Sequence, residues 1–577
     1  MRKWCKNCNR IVYADHCEIC GEETQTDIPI EIEWCDDCKI PIIHEIIDTN
    51  RICPICHRKT HYFAKDLRPV FPEERLLLEV IDEKPLAYLD KSVWADGSKY
   101  YVDGQSSSLG IERLKRLDPE KIRSELEKYS SLNSYEWFNV FIERFIQANK
   151  ERLSIIEEEA FNFVQEQVAR FPEHEVVLSF SGGKDSTVVA DVVTRALANP
   201  SLVHIFGDTT LEFPVTYEYV ARFRKNNPLA IIKTAKNREQ EFYAVCDEIG
   251  PPARMMRWCC TMFKTGPITR VLTSLFRDAK ILTFYGIRKH ESVSRSKYDR
   301  VANSANVKIQ KQTVAAPIFY WLDLEVWLYL LGERVDFNDA YRLGYDRVGC
   351  WCCPNNTSRA QLLAKIYMPE QSKKWRNYLI DFAKKIGKPD PEVYVDDGKW
   401  KARQGGNGLA ASEDVKLKYT NCTAEEHAKI YKLNKPITDE FYDMFIPFGK
   451  VSRELGRKLL REVLVLDIKT NIPILSIQPF SQDGYEYAVK IRTLNVADHD
   501  GLQRKAAYQV RKYNACRKCL KCESVCPFGA ISVTSVAYKI DALKCRHCLK
   551  CVTNKYLEGG CLMDRFLKSK EDESDEN

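Results

Sequence analysis

The stretch "SFSGGKDSTVV" (179–189) decides how the middle of this chain folds. It closes an apolar run, "EVVLSF" (175–180), and opens a helix pattern, "STVVADVVTRALA" (186–198). Two glycines between a strand and a helix let the backbone approach an anion, and the helix N-terminus offers open N–H groups and partial positive charge. Lys184 and Ser186 can add side-chain contacts, and Asp185 would orient the loop or help to hold Mg²⁺. An ordinary glycine turn before a helix is the plainer alternative. Ser-Gly-Gly-Lys-Asp-Ser between strand and helix favours the phosphate reading.

Working outward, "LVHIFGD" (202–208) reads as a second strand and "FPVTYEYVARFRKN" (213–226) as a helix. "LAIIKT" (229–234) reads as a third strand, and "KILTFYGIRKHES" (280–292) as another strand running into a loop. Strands alternating with helices predict an α/β, doubly wound, Rossmann-like parallel sheet covered on both faces. Ligands of such sheets bind at the carboxyl ends of the strands.

The loop resembles the PP-loop of the adenine-nucleotide α-hydrolase superfamily, and the segments downstream narrow the resemblance. "DTTLEFPVTYEYV" (208–220), "RWCCTMFKTGPI" (257–268), "GIRKHESVSRS" (286–296), "APIFYWLDLEVWLYL" (316–330) and "LGYDRVGCWCCP" (343–354) follow in order. Each is similar to a segment of the phosphoadenosine/adenosine phosphosulfate reductase family, so residues of about 170–360 resemble that family. The resemblance implies nucleotide contacts from Ser181, Gly182, Gly183, Lys184, Asp185, Ser186 and Asp208. It implies one [4Fe–4S] cluster on Cys259, Cys260, Cys350 and Cys353, although zinc on the same thiolates stays open. It also implies Lys264 near the sulfate, and Arg288 and Arg295 on anionic groups of the nucleotide, where a planar guanidinium fork suits phosphate or sulfate oxygens.

Two features depart from that family. Its reductases carry a degraded phosphate loop, whereas this one is intact, as in enzymes that cleave ATP to AMP and pyrophosphate. Those reductases also attack sulfate with the cysteine of a Cys-Gly-[Ile/Leu]-His tail, and the only Cys-Gly dipeptide here is Cys20–Gly21. Cys352, which has no place in the cluster set, is the first candidate for a protein nucleophile, and Cys246 the second.

The chain has 23 cysteines among 577 residues. In a reducing compartment disulfides are disfavoured, so metals and clusters lead. Residues 1–62 hold "CKNC" (5–8), "CEIC" (17–20), "CDDC" (35–38) and "CPIC" (53–56). Pairs of such knuckles make closed tetrahedral sites, here Cys5, Cys8, Cys17 and Cys20, then Cys35, Cys38, Cys53 and Cys56, each for one Zn²⁺. Segments this short bury little apolar surface, so the metal would supply their folding energy. Closed sites leave zinc no open position for chemistry.

"CRKCLKCESVCP" (516–527) has the spacing of bacterial-type ferredoxins, and "CRHCLKC" (545–551) repeats its first three cysteines. The fourth cysteine of each run ordinarily serves the other cluster. That predicts Cys516, Cys519, Cys522 and Cys561 on one [4Fe–4S] cluster, and Cys545, Cys548, Cys551 and Cys526 on a second. With the central site, three clusters are expected. Cys246 and Cys422, away from these groups, read as small buried apolar residues.

The expected organisation is therefore zinc ribbons over 1–62, a connecting or lid region over 63–165 and a phosphate-loop domain over 166–400. A small α+β unit over 415–510, an α+β ferredoxin domain over 511–566 and an acidic tail over 567–577 complete it. In 63–165, "RLLLEVI", "LAYLD" and "SKYYVDG" read as strand-like; "DPEKIRSELEKYSSL" and the pattern over 134–171 read as helical. The formal charge of +6 permits nucleic-acid contact without arguing for it. No apolar run approaches the ~20 residues of a membrane span, and the N-terminus lacks a signal peptide's apolar region, so a cytoplasmic protein is expected.

The first functional reading is a reductase of adenylyl sulfate or its 3′-phosphate, fed by a low-potential donor through the ferredoxin module. The second is an ATP-dependent sulfur transferase that adenylates a carbonyl, with tRNA as a partner. A redox-sensing scaffold without catalysis is the third.

Overall fold

A computed structural model of the chain describes residues 2–568 apart from 98, 109–116, 278, 304–311, 407 and 556. The acidic run at 569–577 lies outside the described residues.

The central sheet has six strands, in the order Ile231–Lys236, Val203–Asp208, His174–Phe180, Lys280–Phe284, Gln312–Ala315, Val301–Ala302. Its first five strands run parallel, and the short outermost strand pairs antiparallel. The strand alternation explains the two-sided burial. Val177, Ile205 and Ile281 face one core with Leu272, while Leu178, Phe180, Phe206, Leu282 and Phe284 face the other. His174–Phe180 is flanked by the second strand on one side and the fourth on the other, so the strand order reverses beside it. That reversal is the switch point where such sheets bind ligands, and the loop 181–183 starts there.

Residues 63–165 differ from the sequence reading. "RLLLEVI" lies in the helix Pro72–Ile81, with proline in its first turn. This helix is buried nearly all round, so its apolar run carries no period that separates helix from buried strand. Its polar residues are satisfied internally: Arg68 grips Glu74 bidentately at 2.6 and 2.7 Å, and Glu79 accepts the N–H groups of Leu86 and Tyr88, each at 2.8 Å. "LAYLD" is therefore a turn wrapped on Glu79, whereas Lys99–Val102 is the strand expected of "SKYYVDG". The helix pattern of 134–171 splits into Glu136–Ala148 and Lys150–Arg170 at Asn149. The Asn149 side chain accepts from Ile43 N–H at 2.8 Å and donates to the Pro41 carbonyl at 3.1 Å, which ties it to the second ribbon. Arg68 reaches Asp346 at 2.9 Å, and Arg359 also binds Glu74. The region is thus built into the central core and does not ride over it as a lid. Lys150–Arg170 crosses residue 165 without a break.

Near the N-terminus, Ile40–Glu45, Ile30–Cys35 and His61–Ala64 form a three-stranded sheet, and Lys3–Cys5 pairs with Arg10–Val12. Further on, a six-stranded antiparallel sheet (Tyr419–Asn421 to Tyr485–Thr493) is covered by the helix His499–Ala515, which runs into the cysteines beginning at Cys516. No described helix is long and apolar enough to cross a membrane.

Candidate active site

The phosphate loop is held from several directions. Gly182 has φ +71°, a left-handed conformation that favours glycine, and a Cβ there would lie 3.1 Å from Thr216 Cγ2. Ser186 Oγ donates to the Gly183 carbonyl at 2.8 Å and accepts the Ser181 N–H at 3.1 Å. The fully buried Asn338 donates to the Gly182 carbonyl at 3.0 Å, and Tyr341 Oη accepts the Lys184 N–H at 2.9 Å. Gly286, at the end of the fourth strand, presses on the loop so closely that a Cβ would stand 2.6 Å from the Asp185 carbonyl carbon. The resemblance includes Gly286 in the "GIRKHES" loop without giving it a role, and nothing in the sequence points to Asn338 or Tyr341.

Beneath the loop, charges close on one another. Lys184 Nζ lies 3.0 Å from Asp323 and 3.4 Å from Asp185, and Arg288 lies 2.5 Å from Asp185 and 2.6 Å from Asp323. Burial opposes ionisation of Asp185, but Arg288 and Lys184 outweigh it and hold the carboxyl down at about 2. Asp66 caps the helix Asp323–Gly332 through the N–H groups of Asp323 and Leu324, at 2.9 and 3.1 Å. Burial, then the neighbouring Asp323 charge, push the Asp66 carboxyl up to about 7. Arg288 is therefore a buried strut, not the open anion ligand expected, because both its carboxylate partners are already in contact. Arg295 is likewise engaged, by Glu291 one turn away. Asp208 accepts from Tyr217 Oη and Thr210 N–H, both at 2.8 Å, and so anchors the loop that follows the second strand.

That loop receives the central cysteines. Cys350 pairs with Glu212 in a short bridge, Trp351 N–H donates to the Leu211 carbonyl at 2.9 Å, and Thr209 Oγ1 lies 3.3 Å from Cys350 Sγ. Cys259 and Cys260 end the short helix Trp258–Cys260, followed by the π-turn Thr261–Thr265 and the helix Gly266–Phe276. Single π-turns of this kind gather at functional sites. Neighbouring Cys260, then burial, push the Cys259 thiol well above the ordinary range, with Cys350 adding to the effect, and burial raises the Cys353 thiol, with Cys260 adding to it. Cys259 and Cys350, about 90 residues apart in sequence, pack against one core near the carboxyl edge of the sheet. Lys264 is exposed and acts electrostatically on Glu212 and Cys350. Burial pushes the Cys350 thiol up to about 12. A thiol so placed ionises readily only with a metal beside it.

Cys352 does not fit its expected role. It is 4 % exposed, lies in an apolar core with Cys246, and burial pushes both thiols well above the ordinary range. Structural cysteines of this kind are inert. Cys422 is half-buried, not buried.

The C-terminal cysteines lie in two adjoining neighbourhoods. Cys516, Cys519, Cys522 and Cys561 act electrostatically on one another, and Cys526, Cys545, Cys548 and Cys551 line one small cavity of about 20 Å³. The two runs share a backbone signature. Lys518 and Leu520 in the first, and His547 and Leu549 in the second, all have positive φ, between +50° and +65°. These are the second and fourth positions after the leading cysteine in each run. Left-handed non-glycine residues cost about 1–2 kcal/mol each, so the shared pattern marks a common fold of the two runs. Lys512 is 1 % exposed, donates to the Cys551 carbonyl at 2.5 Å and senses Cys522, Cys551, Cys561 and Cys516. Among the described residues no carboxylate pairs with it, so its counter-charges would be the cysteines of both groups once a bound metal ionised them.

The first of these groups abuts the central site. Trp258, Met262, Phe263 and Cys352 share one continuous core with Cys519, Leu520, Cys522 and Val525. Gly266 is glycine because a Cβ would fall 2.8 Å from the Thr261 carbonyl and 2.9 Å from Leu520 Cβ. Arg270 grips Glu523 at 2.8 and 3.1 Å and also binds the Val533 carbonyl, and Glu239 accepts from Ser535 N–H at 3.1 Å.

At the N-terminus, two groups already have metal-site geometry. The sulfurs of Cys5, Cys8, Cys17 and Cys20 lie within 4.8 Å of one another, as do those of Cys35, Cys38, Cys53 and Cys56. Zinc with Zn–S bonds of about 2.3 Å needs sulfurs roughly 3.8 Å apart, and the Sγ pairs here range from 3.4 to 3.8 Å. These residues fit zinc ribbons. Among the described residues no other group of three or more ligand atoms is drawn so close.

Fold and site together define a doubly wound α/β domain with a glycine-rich loop at its switch point and cysteines at the same carboxyl edge. The particular family follows from comparison: residues 175–356 match the phosphoadenosine phosphosulfate reductase domain, and residues 510–532 the 4Fe-4S binding domain. Over those residues the chain is similar to a phosphoadenosine phosphosulfate reductase domain and to a 4Fe-4S binding domain. An uncharacterized protein of Methanocaldococcus jannaschii is 32% identical over 300 residues, 51% of this chain and 60% of that protein. An adenosine 5′-phosphosulfate reductase of Staphylococcus epidermidis is 26% identical over 199 residues, 33% of this chain and 76% of that enzyme. A phosphoadenylyl-sulfate reductase structure from Candida auris is 18% identical with a TM-score of 0.27, covering 35% of this chain and 96% of that one. That last likeness is too remote to bear on the site. The chain spans about three fifths of the length of the archaeal relatives it matches.

Proposed function

We propose that the protein reduces adenylyl sulfate or 3′-phosphoadenylyl sulfate to sulfite, with electrons passing through its own C-terminal module. In that reaction the sulfur–oxygen bond to the phosphate breaks, the bridging oxygen leaves on the adenosine nucleotide, and sulfur(VI) takes two electrons to become sulfur(IV). One observation carries the reading. Cys259 and Cys350, at the sheet's ligand edge, pack against the core that holds Cys519 and Cys522.

In this reading the loop of Ser181, Gly182, Gly183 and Ser186 binds the nucleotide phosphate through backbone N–H groups and the helix N-terminus. Lys184, Asp185, Arg288 and Asp323 keep that loop in shape. Lys264 offers its ammonium to the sulfate, and Asp208 fixes the segment that carries Glu212 and Thr209 to Cys350. Iron–sulfur clusters held by the central group and the two C-terminal groups would supply electrons one at a time. Two such groups in the C-terminal module match a two-electron reduction, which removes the need for a mobile cysteine, consistent with burial of Cys352. Zinc in the ribbons would be structural, and reduced thiols throughout suit the cytoplasm.

The test is sulfite release from ³⁵S-labelled nucleotide by anaerobically purified protein with a low-potential donor. Absence of turnover with both nucleotides sinks the proposal. The intact phosphate loop favours one second reading, ATP cleavage on the same loop, which pyrophosphate release from ATP would reveal.

A further inference from the structure

We propose that the face around Cys548 is the docking surface for an acidic, one-electron carrier protein. This rests on the electron-transfer reading above. The two C-terminal cysteine groups differ in what surrounds them. The first is sealed against the central domain: Leu520 packs on Gly266, and Arg270 crosses to Glu523. The second opens outward. Cys548 is exposed, and the small cavity formed by Cys526, Cys545, Cys548 and Cys551 is rimmed by Phe528, Arg546 and Lys550. Of the two C-terminal groups, the second is therefore the one that presents a cysteine to an electron carrier outside the chain.

The rim has the chemistry of an interface. Phe528 is 45% exposed and Leu543 91%, a pair of apolar side chains beside the cysteines. Lys544, Arg546 and Lys550 are all exposed within seven residues. Lys544 lies 3.4 Å from Asp541, but among the described residues neither Arg546 nor Lys550 makes an ion pair. An apolar centre with a one-signed charged rim steers a partner of opposite charge and orients it on contact. Because Arg546 and Lys550 flank the exposed Cys548 and carry no paired carboxylate among the described residues, the partner this face fits is an acidic protein carrying one electron at an edge-exposed centre. The exchange is balanced: the carrier loses one electron and the group held by Cys526, Cys545, Cys548 and Cys551 gains it.

The test uses the full chain with its metals, purified anaerobically, and an oxidised plant-type [2Fe–2S] ferredoxin as the acidic probe. Binding is measured by titration calorimetry without nucleotide, so its outcome is independent of whether the chain reduces sulfonucleotides. Binding at low ionic strength should weaken by at least about tenfold between 20 and 200 mM salt. The double variant Arg546→Glu, Lys550→Glu should weaken low-salt binding by a similar factor, with iron content and reduction by dithionite unchanged. Should that variant lose iron, Lys550→Gln with the wild-type salt series decides instead. No low-salt binding of the acidic probe, salt-independent binding, or equal binding of a basic cytochrome would overturn the proposal.

Discussion

The tetrapeptide Cys-x-x-Cys occurs at both ends of this molecule and adopts two different shapes. In the N-terminal ribbons the residue four places after the leading cysteine turns left-handed: Asn9, Gly21, Lys39 and His57. The N–H groups of Gly21, Lys39 and His57 donate to the carbonyls of Cys17, Cys35 and Cys53, at 2.8, 2.8 and 2.9 Å. In the C-terminal runs the second residue turns left-handed as well. The ribbons bring sulfurs to a single-ion spacing, and the downstream groups do not. Spacing in sequence thus states that thiols will gather, while backbone conformation beyond the pair states how large a guest they gather around. The two kinds also differ in reach. Each ribbon site is assembled within 22 residues, whereas the central group joins two segments about 90 residues apart, against a third domain.

The largest expected effect probes that difference in reach. Cys350→Ser should abolish sulfonucleotide reduction, by more than about a hundredfold, and lower iron by about four atoms of about twelve. Zinc, read by mass spectrometry, should stay unchanged. Loss of zinc together with iron would break the division between the two classes of site.

Next, the two ribbons should respond differently to the same lesion. The first has little core beyond Cys5, Val12 and Cys17, whereas Cys35, Cys38 and Cys53 belong to a large core with Trp34, Trp94 and Phe145. Cys35→Ser should lower global stability in guanidinium by more than about 3 kcal/mol, and Cys5→Ser by less than about 0.5 kcal/mol. Cys5→Ser should instead expose residues 2–25 to proteolysis. Equal global losses would show that the first ribbon is also part of the core.

Lys512→Met should lower the reduction potentials of the C-terminal groups by roughly 60 mV, a tenfold change for one electron, because a buried cation favours the more negative reduced state. Redox titration followed by electron paramagnetic resonance reads it, with iron content unchanged and Lys512→Arg restoring the potential. Unaltered potentials with full iron would leave Lys512 a packing residue.

The smallest effect concerns Asp66, where the second ribbon's sheet meets the phosphate loop. Its folded value of about 7 stands above the ordinary 3.8. The proton it holds in the folded state stabilises fully below about pH 4, and that stability is lost as pH rises through about 7. Asp66→Asn should flatten this slope, which is at most about 1.4 kcal/mol per pH unit. Denaturation midpoints across that range read the change, and an unaltered slope would place the titration elsewhere.

Much of the central fold was legible because its strands alternate with helices and end in turn residues. "RLLLEVI" was misread because a helix buried on every side shows no amphipathic period. Cys352 looked reactive because it was left over from a ligand set, but being left over says nothing about exposure, and the core around Trp258 and Trp375 encloses it. Arg288 looked like an anion ligand because its type fits one; Asp185 and Asp323, 103 and 35 residues away in sequence, occupy it.

The sequence alone determined what is local. It specified the phosphate loop, the four knuckles and the two ferredoxin runs, since a turn, a cap or a chelating pair is written within a dozen residues. Only the tertiary structure decided what depends on distant parts meeting: which charges under the loop are already neutralised, which thiols are sealed, and which cysteine group faces the central domain and which faces solvent. Burial and electrostatic pairing are properties of neighbours in space, and the chain order does not record them.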